Sequence, residues 1–330
     1  MEQRKLGRTG RDVSIVGLGC WQLGSDWGAE VMSDAEALAV LNGAVETGVT
    51  FLDTADVYGD GVSEKRIGRF LAERGSAGLT VATKMGQRAD PHVAEAYNLD
   101  NFRAWVDRSR HNLGVEVIDL VQLHCPPSYV FSDDRVYDAL DQLVSEGCIA
   151  AYGVSVETCD EALAAIAHPG VASVQLILNI FRQKPLEQVV PAAADAGVGI
   201  IARVPLASGM LSNKYDESTT FSPADHRNYN LHGEEFDVGE TFSGVPYDLG
   251  LRAAREVAAL TPPGATPAQL ALRWIVDQPG VTTVIPGART AEQAISNAEA
   301  GSLPPLTDRL QMELRNIYNR DIREHVHSRW

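Results

Sequence analysis

Cysteine is scarce in this chain: four residues (Cys20, Cys125, Cys148 and Cys159) among 330. None sits at CxxC spacing, and none has a histidine partner at zinc-like spacing. Reduced thiols and no structural metal are therefore expected. Cys125, which follows His124 directly, reads as packing filler beside a site. Cationic residues are also short, with 28 Lys and Arg against 44 Asp and Glu, a formal net charge of −16. The acidic residues are spread along the chain. That argues against nucleic acid and against an anionic membrane surface as partners. It does not exclude a polyanionic cofactor, which needs only a few local cations. No apolar run approaches the roughly 20 residues of a membrane span. The opening Met-Glu-Gln-Arg-Lys lacks a signal-peptide core, so a cytoplasmic location is expected. There is no Gly-x-Gly-x-x-Gly after a first strand and no segment that looks like an interdomain linker.

What the chain does have is alternation. Residues 4–16 read as a short hairpin turning at Gly7-Arg8-Thr9-Gly10. Apolar runs rich in Val, Ile and Leu then fall near 15–19, 50–53, 79–83, 117–123, 149–154, 172–177, 198–202 and 282–285. Segments with helical spacing fall near 34–47, 63–73, 100–113, 133–146, 158–167, 185–196, 267–278 and 290–299. Caps support several of them. Ser33-Asp34 opens one helix and Gly48 closes it; Asp133-Asp134 opens another that ends at Gly147. Thr266-Pro267 is an N-cap followed by proline at the first helical position. Eight strand–helix units favour an α/β fold of the (β/α)₈ barrel type, one domain over 1–330, above a doubly wound open sheet with a second domain. Residues 212–246 form a long irregular stretch rich in aromatics, and 87–98 a shorter one; both are expected at the C-terminal face of the barrel. Residues 306–319 read as an extra helix outside it. His325 and His327 are not expected to bind metal.

Four residues stand where strands give way to loops: Asp53 and Tyr58, five apart, then Lys84 and His124. Taken singly, Lys84 reads equally as a solvated rim lysine and His124 as a satisfied core residue. Together they do complementary work. A tyrosine ordinarily titrates near pH 10 and is a sluggish acid. A nearby ammonium lowers that value, and a carboxylate keeps the ammonium charged. A neutral histidine donates to the same substrate oxygen. The set suits protonation of an oxygen on which negative charge develops, as when a carbonyl receives a hydride.

These residues lie in motifs that resemble the aldo-keto reductases over essentially the whole chain. The motifs are Gly17-Leu18-Gly19-Cys20-Trp21, Asp53-Thr54-Ala55-Asp56-Val57-Tyr58-Gly59, Ser63-Glu64 and Thr83-Lys84, then Asp119-Leu120-Val121-Gln122-Leu123-His124. Gly153-Val154-Ser155, Val174-Gln175-Leu176, Pro205-Leu206-Ala207-Ser208-Gly209 and Ile285-Pro286-Gly287 continue them in order. The style resembles the bacterial branch related to potassium-channel β subunits. The resemblance implies a tetrad of Asp53, Tyr58, Lys84 and His124, with Tyr58 as proton donor. It implies NADPH/NADP+ bound across the barrel mouth, touching Gly19, Cys20 and Trp21. Ser155 and Gln175 match the residues that hold the nicotinamide carboxamide, with Asn179 just beyond. Pro205, Leu206, Ser208, Gly209 and Leu211 match the pyrophosphate loop, with Lys214 as a clamp. Gly287, Arg289, Gln293 and Asn297 match the adenosine end.

The sequence departs from the family pattern in three places. Val156 replaces the usual Asn after Gly-Val-Ser. Gly287-Ala288 replaces a Lys-Ser pair near the 2′-phosphate, leaving Arg289 to supply charge. Arg203 stands where an aromatic ring usually stacks on the nicotinamide. A stacked guanidinium would repel the oxidised ring and favour the reduced cofactor; alternatively Arg203 turns toward a phosphate or an acidic neighbour. The activity so implied is NADPH-dependent reduction of a small aldehyde or ketone, its identity set by Trp21, Trp27, Tyr129 and the two long loops. The alternative is an NADP(H)-binding regulatory subunit of the channel β type with little turnover, although the chain shows no extended N-terminal segment for channel inactivation.

Overall fold

The computed structural model of the protein describes residues 1–24 and 31–330. It begins with an antiparallel hairpin of β1 (Gln3–Lys5) and β2 (Asp12–Ser14), Arg4 facing Val13 across the pair. The turn between them packs so tightly that a Cβ on Gly7 would lie 2.0 Å from the carbonyl oxygen of Ala172. Gly7 also has φ +48, so only glycine serves there.

Eight strands follow: β3 (Leu18–Gly19), β4 (Phe51–Asp53), β5 (Thr80–Met85), β6 (Leu120–His124), β7 (Tyr152–Ser155), β8 (Val171–Ile177), β9 (Gly199–Arg203) and β10 (Val281–Val284). Each pairs in parallel with the next. Parallel bridges Val16 to Val284 and Gly19 to Gly287 join the two ends. The Gly17 and Gly19 amides donate to Val284 O at 2.8 Å and Pro286 O at 3.0 Å. The sheet therefore closes, and the fold is a (β/α)₈ barrel. Several strands start later than the apolar runs, because ladder pairing rather than hydrophobicity sets their ends. β6 opens at Leu120 and includes His124.

The eight barrel helices include α1 (Asp34–Glu46), α2 (Val62–Arg74), α3 (Leu99–Leu113), α4 (Asp134–Ser145), α5 (Cys159–Ile166) and α6 (Val189–Ala196). A short α7 (His226–Tyr229) and α8 (Tyr247–Ala259) precede the last two barrel helices, α9 (Pro267–Val276) and α10 (Ala291–Glu299). Polar N-caps start most of them. Ser33 with Glu36, Thr158 with Glu161 and Thr266 with Gln269 form reciprocal capping boxes. α8 is an addition to the sequence reading, which ran from the long loop directly to Pro267. Its N-cap is Pro246, which offers no side-chain bond, so the start signal is absent although Leu251, Ala254 and Val257 are buried. After α10, α11 (Asp308–Ile317) packs on α8 outside the barrel.

Two layers of core result. Leu6 and Val13 of the hairpin segment meet Phe51, Leu120 and Ile201 inside the barrel and plug its N-terminal end. The larger core lies between strands and helices. Among the described residues no helix is long and apolar enough to cross a membrane.

Candidate active site

The site is built on the alternation of strand side chains. Residues two apart on a barrel strand point the same way, and the closing strand ends bring several polar ones into a single layer. Asp53 ends β4, Lys84 lies next to last in β5, Gln122 and His124 sit in β6, and Gln175 in β8. All are buried. Lys84 Nζ forms a short ion pair with Asp53 Oδ1, donates to Thr54 O at 2.9 Å and reaches Tyr58 OH at 3.4 Å. The other Asp53 oxygen accepts from Gln122 Nε2 at 2.9 Å and Gln175 Nε2 at 2.8 Å. The carboxylate is thus held from three strands. The Tyr58 ring lies edge-on to His124, centroids 5.9 Å apart. Asp53, Tyr58, Lys84 and His124 therefore come together at the C-terminal mouth. Gln122 joins them; its sign in the sequence was its two-residue spacing from His124.

Electrostatics at Tyr58 differ from the sequence expectation. Burial raises its phenol above the ordinary value, and this outweighs the lowering by Lys84. The ammonium acts in the expected direction but does not win, because desolvation of the phenol is the larger effect and Asp53 opposes it. For Lys84, burial pulls downward, yet Asp53 and Tyr58 leave it above the usual lysine value and charged. Burial, then the charges of Lys84 and Arg203, push His124 well below the usual value. The imidazole is neutral, and its Nδ1 is buried with no hydrogen-bond partner.

The residues expected to bind cofactor divide into groups. Cys20 is fully buried, with its amide donating to Asp53 O at 2.8 Å. Trp21 meets His226 of the long loop edge-on at 5.3 Å. Trp27 lies outside the described residues. Ser155 is buried at the end of β7, its Oγ accepting from Cys125 Sγ at 3.6 Å. Gln175 has its amide nitrogen committed to Asp53 and Gln122. Asn179 donates to Val204 O and Ser243 Oγ, bracing the loop from within.

After β9 the turn is unusual: Val204, Ala207, Ser208, Gly209 and Asn213 all have positive φ. A branched residue such as Val204 there is strained. The Gly209 amide, expected to face phosphate, donates to Leu206 O at 3.0 Å inside the turn. Its lack of a side chain is required by Tyr215, whose hydroxyl would lie 2.4 Å from a Cβ. Ser208 Oγ donates to Glu240 O and accepts from the Phe242 amide, fastening the long loop to this turn. Pro205 and Leu211 are buried, and Lys214 is exposed. At the last barrel end, Asn297 Nδ2 donates to Gly287 O and Gln293 Oε1 accepts from the Arg289 amide. These two side chains shape the turn, and Arg289 stands exposed beside them.

Arg203 does not lie free for stacking. Nη2 is 3.1 Å from Glu157 Oε1 and 3.1 Å from Val156 O, and Nη1 pairs closely with Glu240 Oε1. The acidic-neighbour alternative is the arrangement present. The sequence did not disclose Asp56 as part of the site region. It is fully buried with neither carboxylate oxygen bonded. Burial, then Glu64, raise its carboxyl to about 7.

Comparison with known proteins agrees with this architecture. The family model described as "Aldo/keto reductase family" matches residues 15–319. The uncharacterized oxidoreductase YqkF of Bacillus subtilis is 29% identical over 326 residues, 98% of each chain. The solved glycerol dehydrogenase AKR11B4 of Gluconobacter oxydans superposes with TM-score 0.79 at 26% identity, covering 97% of this chain and 96% of its own. An aldo-keto reductase of Klebsiella pneumoniae, solved in complex with NADPH, superposes with TM-score 0.70 at 21% identity, 96% of each chain covered. The chain belongs to the aldo/keto reductase family.

Proposed function

We propose that the protein is an NADP(H)-dependent oxidoreductase that reduces an aldehyde or ketone to an alcohol, with Tyr58 as the acid. The observation that carries this reading is the chain from buried Asp53 and Lys84 to the partly buried Tyr58, with a neutral His124 beside it. The residues at the mouth fit a dinucleotide. Two exposed cations, Lys214 and Arg289, follow β9 and β10, where a polyanion would be met, and His124 Nδ1 is a buried polar atom still without a partner. When bound, the dinucleotide supplies the hydride. Arg289 would favour the 2′-phosphate and hence NADPH over NADH. The Klebsiella neighbour was solved with NADPH, which accords with that choice.

The chain's own residues then handle the proton. The carbonyl oxygen sits between Tyr58 OH and the imidazole of His124, both donors to the charge that develops there. Tyr58 releases its proton to that oxygen. Lys84, kept charged by Asp53, stabilises the phenolate left behind. Gln122 and Gln175 hold Asp53 so that the ammonium cannot swing away.

The test is NADPH consumption with 4-nitrobenzaldehyde, followed for the native chain and Tyr58→Phe. The variant should lose at least about 10³-fold in kcat/KM while its NADPH dissociation constant, read by fluorescence, stays within about twofold. Retained turnover would reassign the acid. A native chain that binds NADPH but consumes none with a broad carbonyl panel would favour a regulatory subunit instead.

A further inference from the structure

Trp330 is distant from the tetrad in the chain, yet it is buried against the returning limb of the long loop, residues 237–244. A Cβ on Gly239 would lie 3.0 Å from its ring, and one on Gly244 2.5 Å. The indole Nε1 donates to both carboxylate oxygens of Asp237 at 3.1 Å. Two guanidiniums flank the ring, Arg182 at 3.8 Å and Arg329 at 5.9 Å from its centroid. Arg182 is itself buried and donates to the backbone oxygen of Glu157, just after β7, at 2.5 Å. The indole thus joins the loop on one side to the barrel wall on the other. The segment that carries it is anchored as well. Arg323 Nη1 donates to Glu187 Oε1 at 2.9 Å, and Tyr318 OH lies 2.8 Å from His327 Nδ1.

The limb so held is under strain. Phe242 and Ser243 have φ +51 and +58, a left-handed conformation costly for side chains with a Cβ. Such a conformation persists only where the surroundings over-determine it. From this limb the restraint passes to the turn after β9. Ser208 Oγ donates to Glu240 O and accepts from the Phe242 amide, and Asn179 Nδ2 donates to Ser243 Oγ at 2.7 Å. The Phe242 ring packs on Tyr247, Phe221 and Tyr215, with centroids 5.2, 5.8 and 6.4 Å away. Tyr215 follows Lys214, one of the two exposed cations after β9 and β10. The outgoing and returning limbs of the loop are therefore one packed body beside the place proposed for the phosphates.

We propose that Trp330 is a positioning residue for the dinucleotide: by pinning residues 237–244 it sets how fast the nucleotide leaves. This rests on the proposed reading of the mouth as an NADP(H) site. Trp330 acts through the limb and Tyr215, not by meeting the nucleotide. A dinucleotide held against this body departs when the body loosens, and loosening breaks the contacts of the indole.

The experiment is stopped-flow release. The full chain loaded with NADPH is mixed with excess NADP+, and the loss of bound-NADPH fluorescence is timed for the native protein, Trp330→Ala and Trp330→Phe. Trp330→Ala should release NADPH at least about tenfold faster. Trp330→Phe keeps a ring against Gly244 and Arg182 but loses the bonds to Asp237, so its rate should fall between the two. An off-rate belongs to the molecules that hold nucleotide. A substitution that merely lowers the folded fraction shrinks the signal and leaves the rate in place. Release no faster than native in both variants would overturn the inference and leave the cofactor reading standing. If Trp330→Ala does not fold, a native rate in Trp330→Phe overturns it. If the native chain takes up no NADPH, the cofactor reading itself falls and takes this one with it.

Discussion

At the scale of single residues, burial competes with neighbouring charge, and the winner differs from site to site. Lys84 stays charged because Asp53 and Tyr58 together outweigh its burial, whereas Tyr58 is raised because burial outweighs the ammonium. With Tyr58 raised and His124 held neutral, neither group changes state near neutrality. Reduction should therefore be flat in kcat/KM from about pH 6 to about pH 9; a basic limb near pH 8 in a measured profile would contradict this. Asp56 supplies a stability test. Unfolded, its carboxyl ionises near the ordinary 3.8; folded, at about 7. The folded chain holds the extra proton between those values, so stability falls as pH rises through that window. Asp56→Asn should thus gain on the native chain with rising pH, by up to about 4 kcal/mol near pH 8. Urea unfolding at several pH values measures it, and a difference that does not grow with pH would refute it. Asp53, Lys84 and His124 were legible in the sequence because each follows an apolar run and so lies at or next to a strand end, and Tyr58 because it stands in the loop five residues after Asp53. Gln122 carried the same signal in its spacing. Asp56 carried none, since its state depends on Glu64, Arg88 and Arg108 folding around it.

Among elements, the turn after β9 and the long loop behave as one unit. Ser208 ties Glu240 and Phe242 to the turn, Arg203 ties Glu240 to the strand, and Trp330 holds Asp237. A Cβ on Gly244 would lie 2.5 Å from the Trp330 ring, so the indole packs directly on that segment. Trp330→Ala should free residues 237–244 while leaving the barrel intact. Amide exchange there is expected to speed up by at least about tenfold, with the strands unchanged. Uniform acceleration across the chain would mean that Trp330 supports the whole fold rather than this loop. The sequence marked 212–246 as a loop from its length and composition. It did not show which side chains fasten it, because those partners lie up to about ninety positions away. α8 escaped notice for a local reason, the lack of a polar cap at Pro246.

For the molecule as a whole, closure of the barrel is what gathers the site. Asp53, Lys84, Gln122 and Gln175 come from four strands and meet only because the sheet curves back to bridge Gly19 with Gly287. The hairpin seals the opposite end. Leu6 is fully buried against the barrel interior, and Leu6→Ala should cost about 2–5 kcal/mol without changing cofactor affinity. Denaturant unfolding paired with a nucleotide titration reads both; a large loss of affinity at unchanged stability would show that the plug and the mouth are coupled.

Periodicity, caps and turn residues act over a few positions, so the amino-acid order alone determined the number of strand–helix units, most helix starts and the strand-end places of Asp53, Lys84 and His124. Tertiary structure decided what depends on distant chain segments meeting out of water. It set the direction in which Tyr58 titrates, the pairing of Arg203 with Glu157 and Glu240 in place of an open stacking face, and the internal use of Gln175, Gln293 and Asn297. Enclosure and charge at a point in the barrel mouth are sums over neighbours that the linear order does not list.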